Sequence, residues 1–240
     1  MNNNNDTKRY TPDTSVLYHE QLSSGWSSRY TSGGFKKRRD FLTTQLGIVV
    51  RRGERWIDAG CGSGVLTREL ARFGAKGVGV DASCGMISAA INEDNSDTHR
   101  FDYRVIDTIE VIPEEDFSFD GVLCSSVVEY LAKPEDALLE FYRILKVGGT
   151  LIITVPNSFS FVRAIQCLIR CVMLMFGKKF FSYLSISKNA YSYGKIKTIL
   201  GRHGFIVASI VGFDSILPTG ALSDHFGSLF IVVAHKLHGL

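Results

Sequence analysis

Apolar residues recur along the chain in two rhythms. Between residues 54 and 155, short apolar runs alternate with stretches whose apolar positions fall three and four apart. The runs at 55–59 (RWIDA), 77–81 (GVGVD), 102–106 (DYRVI), 119–124 (FDGVLC) and 150–155 (TLIITV) have the length and composition of buried strands. Helical patterns lie between them at 64–73, 84–92 and 134–146. Strand–helix alternation of this kind predicts βαβ units with right-handed crossovers, hence a doubly wound, mostly parallel α/β sheet. Upstream, 15–30 predicts a short helix and turn, Gly33-Gly34 a break, and 35–47 a helix that Gly47 ends. After Pro156 the rhythm changes. A long apolar helix is predicted over 158–176 and a second helix over 191–202. Strands at 205–211 and 228–235 are expected to pair at the sheet edge, giving seven strands with the last antiparallel. No Pro-, Gly- or Ser-rich linker divides the chain. The expectation is one domain over 15–240 carrying a helical insert at 158–190, behind a disordered lead-in at 1–14.

Composition narrows the function classes. A hydrophobic fraction of 45% supplies a sizeable core. The net charge of +3 is too mild for a dedicated nucleic-acid binder, and no basic, aromatic-interleaved groove is evident, so no nucleic-acid partner is expected. Cys61, Cys84, Cys124, Cys167 and Cys171 are odd in number and contain no C-x-x-C pair. They read as free thiols in a reducing compartment, and no metal site is expected. The chain opens without the apolar core of a secretory leader, and no apolar run reaches the ~20 residues of a membrane span. The expected location is cytoplasmic.

The chemistry begins at residues 56–65, Trp-Ile-Asp-Ala-Gly-Cys-Gly-Ser-Gly-Val. Gly60, Gly62 and Gly64 let the backbone turn tightly at the end of a strand and approach a ligand closely. The helix that follows aims unpaired N–H groups at that ligand. The spacing is G-x-G-x-G, and Val65 stands where a dinucleotide fingerprint has its third glycine. Asp58 precedes the loop. A diphosphate is repelled by that charge, whereas an ammonium or sulfonium is attracted. Cys61 reads as a small loop residue rather than a nucleophile. Asp81 ends the next strand, about twenty residues past the loop, where an acid meets ribose hydroxyls or caps the following helix. Asp107 ends the strand after that and is placed to accept from an adenine amine, although its loop is acid-rich.

The motifs WIDAGCGSG, GVGVDAS, the acid of VIDT, FDGVLCSSVVEYL and LKVGGTLIITVPN, in this order, resemble those of class I S-adenosylmethionine-dependent methyltransferases. The likeness runs over roughly 35–157 and is nearest to the ubiquinone-biosynthesis type of small-molecule O-methyltransferase. It implies a Rossmann-like sheet, S-adenosyl-L-methionine as cofactor and S-adenosyl-L-homocysteine as product. By position, Gly60, Cys61, Gly62 and Gly64 would wrap the methionine portion, with Asp58 near its ammonium. Asp81 would hold the ribose, and Ala82 and Met86 would border the adenosine. Ile106 and Asp107 would contact adenine, and Ser125 would offer its backbone near the transfer site. An arginine of the Lys36–Arg39 run, Arg38 or else Arg39, would meet the cofactor carboxylate.

The acceptor side is less marked. Quinone-pathway enzymes carry Glu-His after the fourth strand, and this chain has Glu129-Tyr130. A histidine base or a Glu-His metal site is thereby put in doubt. Glu129 and Tyr130 are the candidate catalytic residues, with Ser126 beside them; Glu129 reads equally as a solvent-facing carboxylate at a helix start. His19 and His225 read first as surface residues. The helix at 158–176 carries Arg163, Gln166 and Arg170 as a narrow polar stripe on an otherwise apolar cylinder. That pattern suits peripheral membrane contact through 158–179, a lid over the site, or a dimer contact. The expected reaction is methyl transfer to a hydroxyl of a small hydrophobic or aromatic acceptor. A small-molecule N-methyltransferase and a non-catalytic cofactor-binding partner protein are the alternatives.

Overall fold

The computed structural model describes residues 13–94, 100–178 and 181–237. The lead-in expected over 1–14 lies outside them except for Asp13 and Thr14. Helix α1 (Thr14–Leu22) is capped by Asp13, whose carboxylate accepts from Ser15 N–H at 3.3 Å. A 3-10 turn at Ser27–Thr31 leads into α2 (Gly33–Val49). Then follow β1 (Arg55–Ala59), α3 (Val65–Arg72), β2 (Lys76–Asp81), α4 (Cys84–Glu93), β3 (Phe101–Val105) and β4 (Phe119–Cys124). A 3-10 turn at Val128–Tyr130 precedes α5 (Pro134–Ile144) and β5 (Leu145–Pro156). The chain closes with α6 (Phe161–Met175), a 3-10 turn at Ser182–Ser185, α7 (Tyr193–Arg202), β6 (Phe205–Phe213), α8 (Ala221–Phe226) and β7 (Leu229–Lys236).

The strands form one sheet in the order β3-β2-β1-β4-β5-β7-β6. The five strands from the β3 edge to β5 run parallel, and β7 inserts antiparallel between β5 and β6. Successive strand residues point to opposite faces. On one face Ile57, Val122 and Ile153 pack against Phe141 of α5 and Leu200 of α7. On the other, Trp56, Leu123 and Ile152 pack against Leu46 of α2 and Leu70 of α3. Both faces are covered, which is why the strands read as unbroken apolar runs instead of alternating ones.

Several boundaries differ from the sequence pattern, among them β5, which starts at Leu145 rather than 150, and α6, which starts at Phe161 rather than 158. Gly33 and Gly34 do not break the chain but open α2, and Gly47 lies inside that helix. A Cβ at Gly47 would meet the Phe73 ring at 3.1 Å, so close packing, not termination, accounts for this glycine. The predicted helix 134–146 stops at Ile144 because Leu145 already pairs with Phe119 in the sheet. Helix α8 has no counterpart in the pattern.

Trp56 is fully buried and lies opposite Gly121 in the β1–β4 pairing. A Cβ at Gly121 would fall 2.3 Å from the indole. Gly121→Ala is therefore expected to overpack this layer and cost about 1–3 kcal/mol. Thermal denaturation should show a Tm drop of roughly 2–4 °C for each kcal/mol lost.

Candidate active site

Strand order reverses between β1 and β4, and open α/β sheets bind ligands in the crevice outside the carboxyl ends at such a switch point. A cavity of about 780 Å³ lies there. Its floor is the loop after β1, where Gly60, Cys61, Gly62 and Ser63 line the cavity and Gly64 instead packs against Tyr103. Gly60, Gly62 and Gly64 have φ of 81°, 53° and 73°, in the left-handed region where a side chain is strained. A Cβ on Gly60 would also fall 2.2 Å from a Val127 methyl. Gly60 and Cys61 both donate their N–H to Val80 O, at 2.8 and 2.9 Å, folding the loop back toward β2.

Two carboxylates sit beneath this turn. One oxygen of Asp81 accepts from Gly62 N–H at 2.8 Å and the other from Ser83 N–H at 2.9 Å. The helix cap belongs to Ser83, whose Oγ accepts from Met86 N–H at 3.0 Å. Asp58 is 2% exposed and accepts from Thr67 Oγ1 at 2.6 Å. Burial, reinforced by the nearby Asp81 charge, pushes the Asp58 carboxyl up to about 7 against the Thr67 hydrogen bond. Burial also raises Asp81, opposed by its Ser83 and Gly62 hydrogen bonds. Among the described residues no lysine or arginine forms an ion pair with either acid. The crevice therefore favours a cation.

Around the floor, Cys61, Ala82, Met86 and Asp107 line the cavity. The Ile106 side chain instead sits in the core, and its N–H donates to Asp81 O at 3.0 Å. On the opposite rim, Ser125 and Ser126 follow β4. Ser126 has φ 59°, held by its N–H on Thr154 Oγ1 at 2.8 Å. The basic run on α2 resolves cleanly. Arg38 turns inward and donates to Ser126 Oγ at 2.9 Å and Tyr30 Oη at 3.0 Å, with its guanidinium 5.1 Å from the Phe35 ring centre. Its Nε is buried without a partner. Arg39 pairs outside with Asp40 at 2.6 Å.

The rest of the cavity wall draws on three separate stretches. Glu129 lies in the 3-10 turn after β4 and is buried, not solvent-facing. Its Oε2 has no hydrogen-bond partner among the described residues, and burial pushes the carboxyl up to about 7, against the pull of Arg38 and Arg163. Burial carries the Tyr130 phenol far above its ordinary range, so it does not ionise at neutral pH. His19 of α1 also lines the cavity, in edge-on contact with Tyr18, Trp26 and Tyr130 at 5.3, 5.5 and 5.2 Å. Its Nδ1 lies 2.7 Å from Ser15 O, which requires the proton there and leaves Nε2 as an acceptor. Burial lowers its pKa, so the neutral ring dominates. His225 is exposed, with Nδ1 3.0 Å from Ala221 O. Helix α6 contributes Arg163 and Gln166, and Tyr183 follows it.

Several contributors carry no motif. Asn189 donates to the carbonyls of Val128 and Leu131 at 3.1 and 2.8 Å, while Lys188 and Asn189 N–H reach Glu129 O at 2.7 and 3.1 Å. The segment after α6 thus fixes the turn that carries Glu129. Trp26 and Tyr30 enter from the N-terminal segment; the aromatic density of residues 18–35 is the one trace of this in the sequence.

The family described as Methyltransferase domain matches residues 57–153, from β1 to β5. The ubiquinone biosynthesis O-methyltransferase of Xanthomonas oryzae pv. oryzae (strain PXO99A) is 30% identical over 120 residues, covering 50% of this chain and 49% of that protein. The mitochondrial ubiquinone biosynthesis O-methyltransferase of Homo sapiens is 30% identical over 169 residues, covering 67% of this chain and 43% of that protein. The chain thus spans about half the length of the curated relatives it matches. The crystal structure of magnesium protoporphyrin IX methyltransferase from Synechocystis PCC 6803, with bound S-adenosylhomocysteine, superposes with a TM-score of 0.69 at 19% identity. That match covers 93% of this chain and 100% of the other, and establishes the shared fold.

The raised Asp58 pKa has a thermodynamic signature. The folded chain holds this acid's proton up to about 7, whereas the unfolded chain releases it near the ordinary aspartate value of 3.8. Its contribution to stability is complete at low pH and is lost as pH rises through the folded pKa. Asp58→Asn removes that loss. Between pH 5 and pH 8 the wild type should therefore lose Tm relative to Asp58→Asn in scanning fluorimetry. Glu129 acts in the same direction and His19 in the opposite one, but both are common to the two proteins. A Tm difference that stays constant with pH would contradict a proton held on Asp58.

Proposed function

We propose that this chain, which carries the domain and fold of the class I S-adenosylmethionine-dependent methyltransferases, moves a methyl group from S-adenosyl-L-methionine to a hydroxyl of a small hydrophobic or aromatic acceptor. The observation that carries this reading is the pair of acids, buried Asp58 and half-buried Asp81, under a glycine turn, with no lysine or arginine ion-paired to them among the described residues. Such a floor suits an ammonium and a ribose better than a diphosphate. In this reading the turn from Gly60 to Gly64 cradles the methionine portion, with Asp58 toward its ammonium and Arg38 toward its carboxylate. Asp81 has lone pairs left for ribose hydroxyls beyond its two backbone hydrogen bonds. Ala82, Met86, Asp107 and the backbone at Ile106 border the adenosine, and Ser125 faces the transfer point.

The cofactor, when bound, supplies an electrophilic methyl carbon on a sulfonium. The chain's part is to align the acceptor oxygen and take its proton. Glu129, with a pKa of about 7, is matched to proton acceptance near neutral pH, and Tyr130 forms an aromatic wall beside it. A cavity of about 780 Å³ lies high in the roughly 300–1,000 Å³ range of small-molecule sites, consistent with a cofactor and an acceptor held together. The names of the curated relatives support oxygen as the target.

Helix α6 favours a lipophilic setting. Its polar positions Arg163 and Gln166 turn inward to the cavity, while Leu168 and Met175 stand 65% and 84% exposed. An apolar face turned outward, with Lys178 just past the end of the helix, fits peripheral contact with a lipid surface. Among the described residues no helix is long and apolar enough to cross a membrane.

Isothermal calorimetry tests the first reading. S-adenosylmethionine and S-adenosylhomocysteine should bind while NAD does not, and Asp58→Asn should weaken S-adenosylmethionine about tenfold or more, as expected for loss of a charged hydrogen-bond partner. Absence of S-adenosylmethionine binding would remove the reading. For the second, vesicles of mixed neutral and anionic phospholipid should pellet the wild type and release Leu168→Glu. Equal pelleting of both proteins counts against lipid contact.

A further inference from the structure

The stretch that joins α1 to α2 is tied to both loops of the cavity floor. Glu20, near the end of α1, accepts from Ser83 Oγ and from Gly85 N–H at 3.0 Å, at the start of α4. Ser27 Oγ lies 2.6 Å from Ser63 Oγ in the turn after β1, and Ser63 is buried. Trp26 belongs to this tied stretch, and its half-buried side chain lines the cavity. The His19 and Phe35 rings meet the indole edge-on at 5.5 and 6.0 Å, and the Arg29 guanidinium stands 4.8 Å from its centre. Anchors on both sides and three neighbours around the ring fix where the indole points.

It points at Gly62. A Cβ built on that glycine would lie 3.7 Å from Trp26 Nε1 and 3.9 Å from Met86 Sδ. The backbone N–H of the same glycine donates to Asp81 at 2.8 Å. Gly62 is therefore flanked by a carboxylate on one side and an indole N–H on the other. The Trp26 N–H makes no hydrogen bond among the described residues, and it is not sealed in the interior. An indole nitrogen donates and cannot accept, whereas a carboxylate accepts and cannot donate. A ligand group that satisfies both must do both. A hydroxyl does; an ammonium has nothing to offer the indole, and a carboxylate has nothing to offer Asp81.

We propose that Trp26 is a cofactor-binding residue, its indole N–H donating to a ribose hydroxyl whose own proton goes to Asp81. The inference rests on the cofactor assignment above. It gives the N-terminal stretch a direct part in the site: Glu20 and Ser27 hold the stretch against the two floor loops, and Trp26 completes the nucleoside half from above. The Met86 sulfur beside the indole is the apolar neighbour expected where ribose meets base.

The chain has two tryptophans, and the other is a built-in control. Trp56 is fully buried and already donates its Nε1–H to Glu54 at 3.0 Å. In the 15N-labelled full chain, one indole N–H resonance should therefore move on saturation with S-adenosylhomocysteine and the other stay. 5′-Methylthioadenosine, which keeps the ribose and lacks the amino-acid portion, should move the same resonance; L-methionine should not. In calorimetry, Trp26→Phe should weaken S-adenosylhomocysteine and 5′-methylthioadenosine by the same factor, about three- to tenfold, the effect of one hydrogen bond. The resonance measurement needs no variant and so stands even if Trp26→Phe folds poorly. Two unmoved resonances in a chain that binds S-adenosylhomocysteine overturn the assignment. A shift produced by L-methionine, or a loss in Trp26→Phe confined to S-adenosylhomocysteine, overturns it too, by placing the indole on the amino-acid portion. Failure of wild type to bind S-adenosylhomocysteine at all would bring down the cofactor assignment itself, and the role of Trp26 with it.

Discussion

Asp81 ties two loops into one floor. Its oxygens accept from Gly62 N–H in the turn after β1 and from Ser83 N–H in the turn after β2. These loops are far apart in the chain and adjacent in the sheet. The carboxylate thus fixes the height of the glycine turn relative to the start of α4. The turn has a second constraint. At Gly60 the Val127 methyls leave no room for a Cβ, so the segment after β4 packs directly on the backbone after β1. The cavity's shape follows from these two contacts, and the rest of the site is arranged around them.

The electrostatics follow from the same geometry. Enclosing two acids, with no lysine or arginine ion-paired to either among the described residues, raises both carboxyl pKa values, because the low-dielectric surroundings disfavour their charge. In the ligand-free chain this is an unfavourable arrangement, held in place by the covered parallel sheet. A cationic ligand reverses its sign. The floor is thus tuned to what binds it, at some expense to the stability of the empty fold. Perturbed acids concentrated in a cleft are a recurrent mark of functional sites.

Helix α6 inverts the usual amphipathic rule. Its Arg163 and Gln166 face the cavity, and Leu168 and Met175 face outward. Inward polar groups and an outward apolar face make sense together for a cover between a polar cavity below and a hydrophobic environment above. The segment after α6 then reaches back to clamp the Glu129 turn through Asn189, joining α6 to the cavity wall that carries Glu129.

The alternating strand and helix rhythms determined the sheet, its seven strands and the crevice, because burial on both faces leaves a periodic trace that any single stretch displays. The glycine turn and the acids at strand ends were legible for the same reason: each is fixed by its immediate neighbours. What the sequence could not display is which of several equivalent residues turns inward. Arg38 and Arg39 are adjacent and alike, and only the packing of α2 against Tyr30 and Ser126 separates them. His19, Glu129 and Arg163 come from three distant stretches, and their shared cavity exists only once the sheet, α1 and α6 are assembled. Local chemistry depends on short-range spacing, whereas burial, ion-pair distance and the direction a side chain faces are set by contacts between segments far apart in the chain.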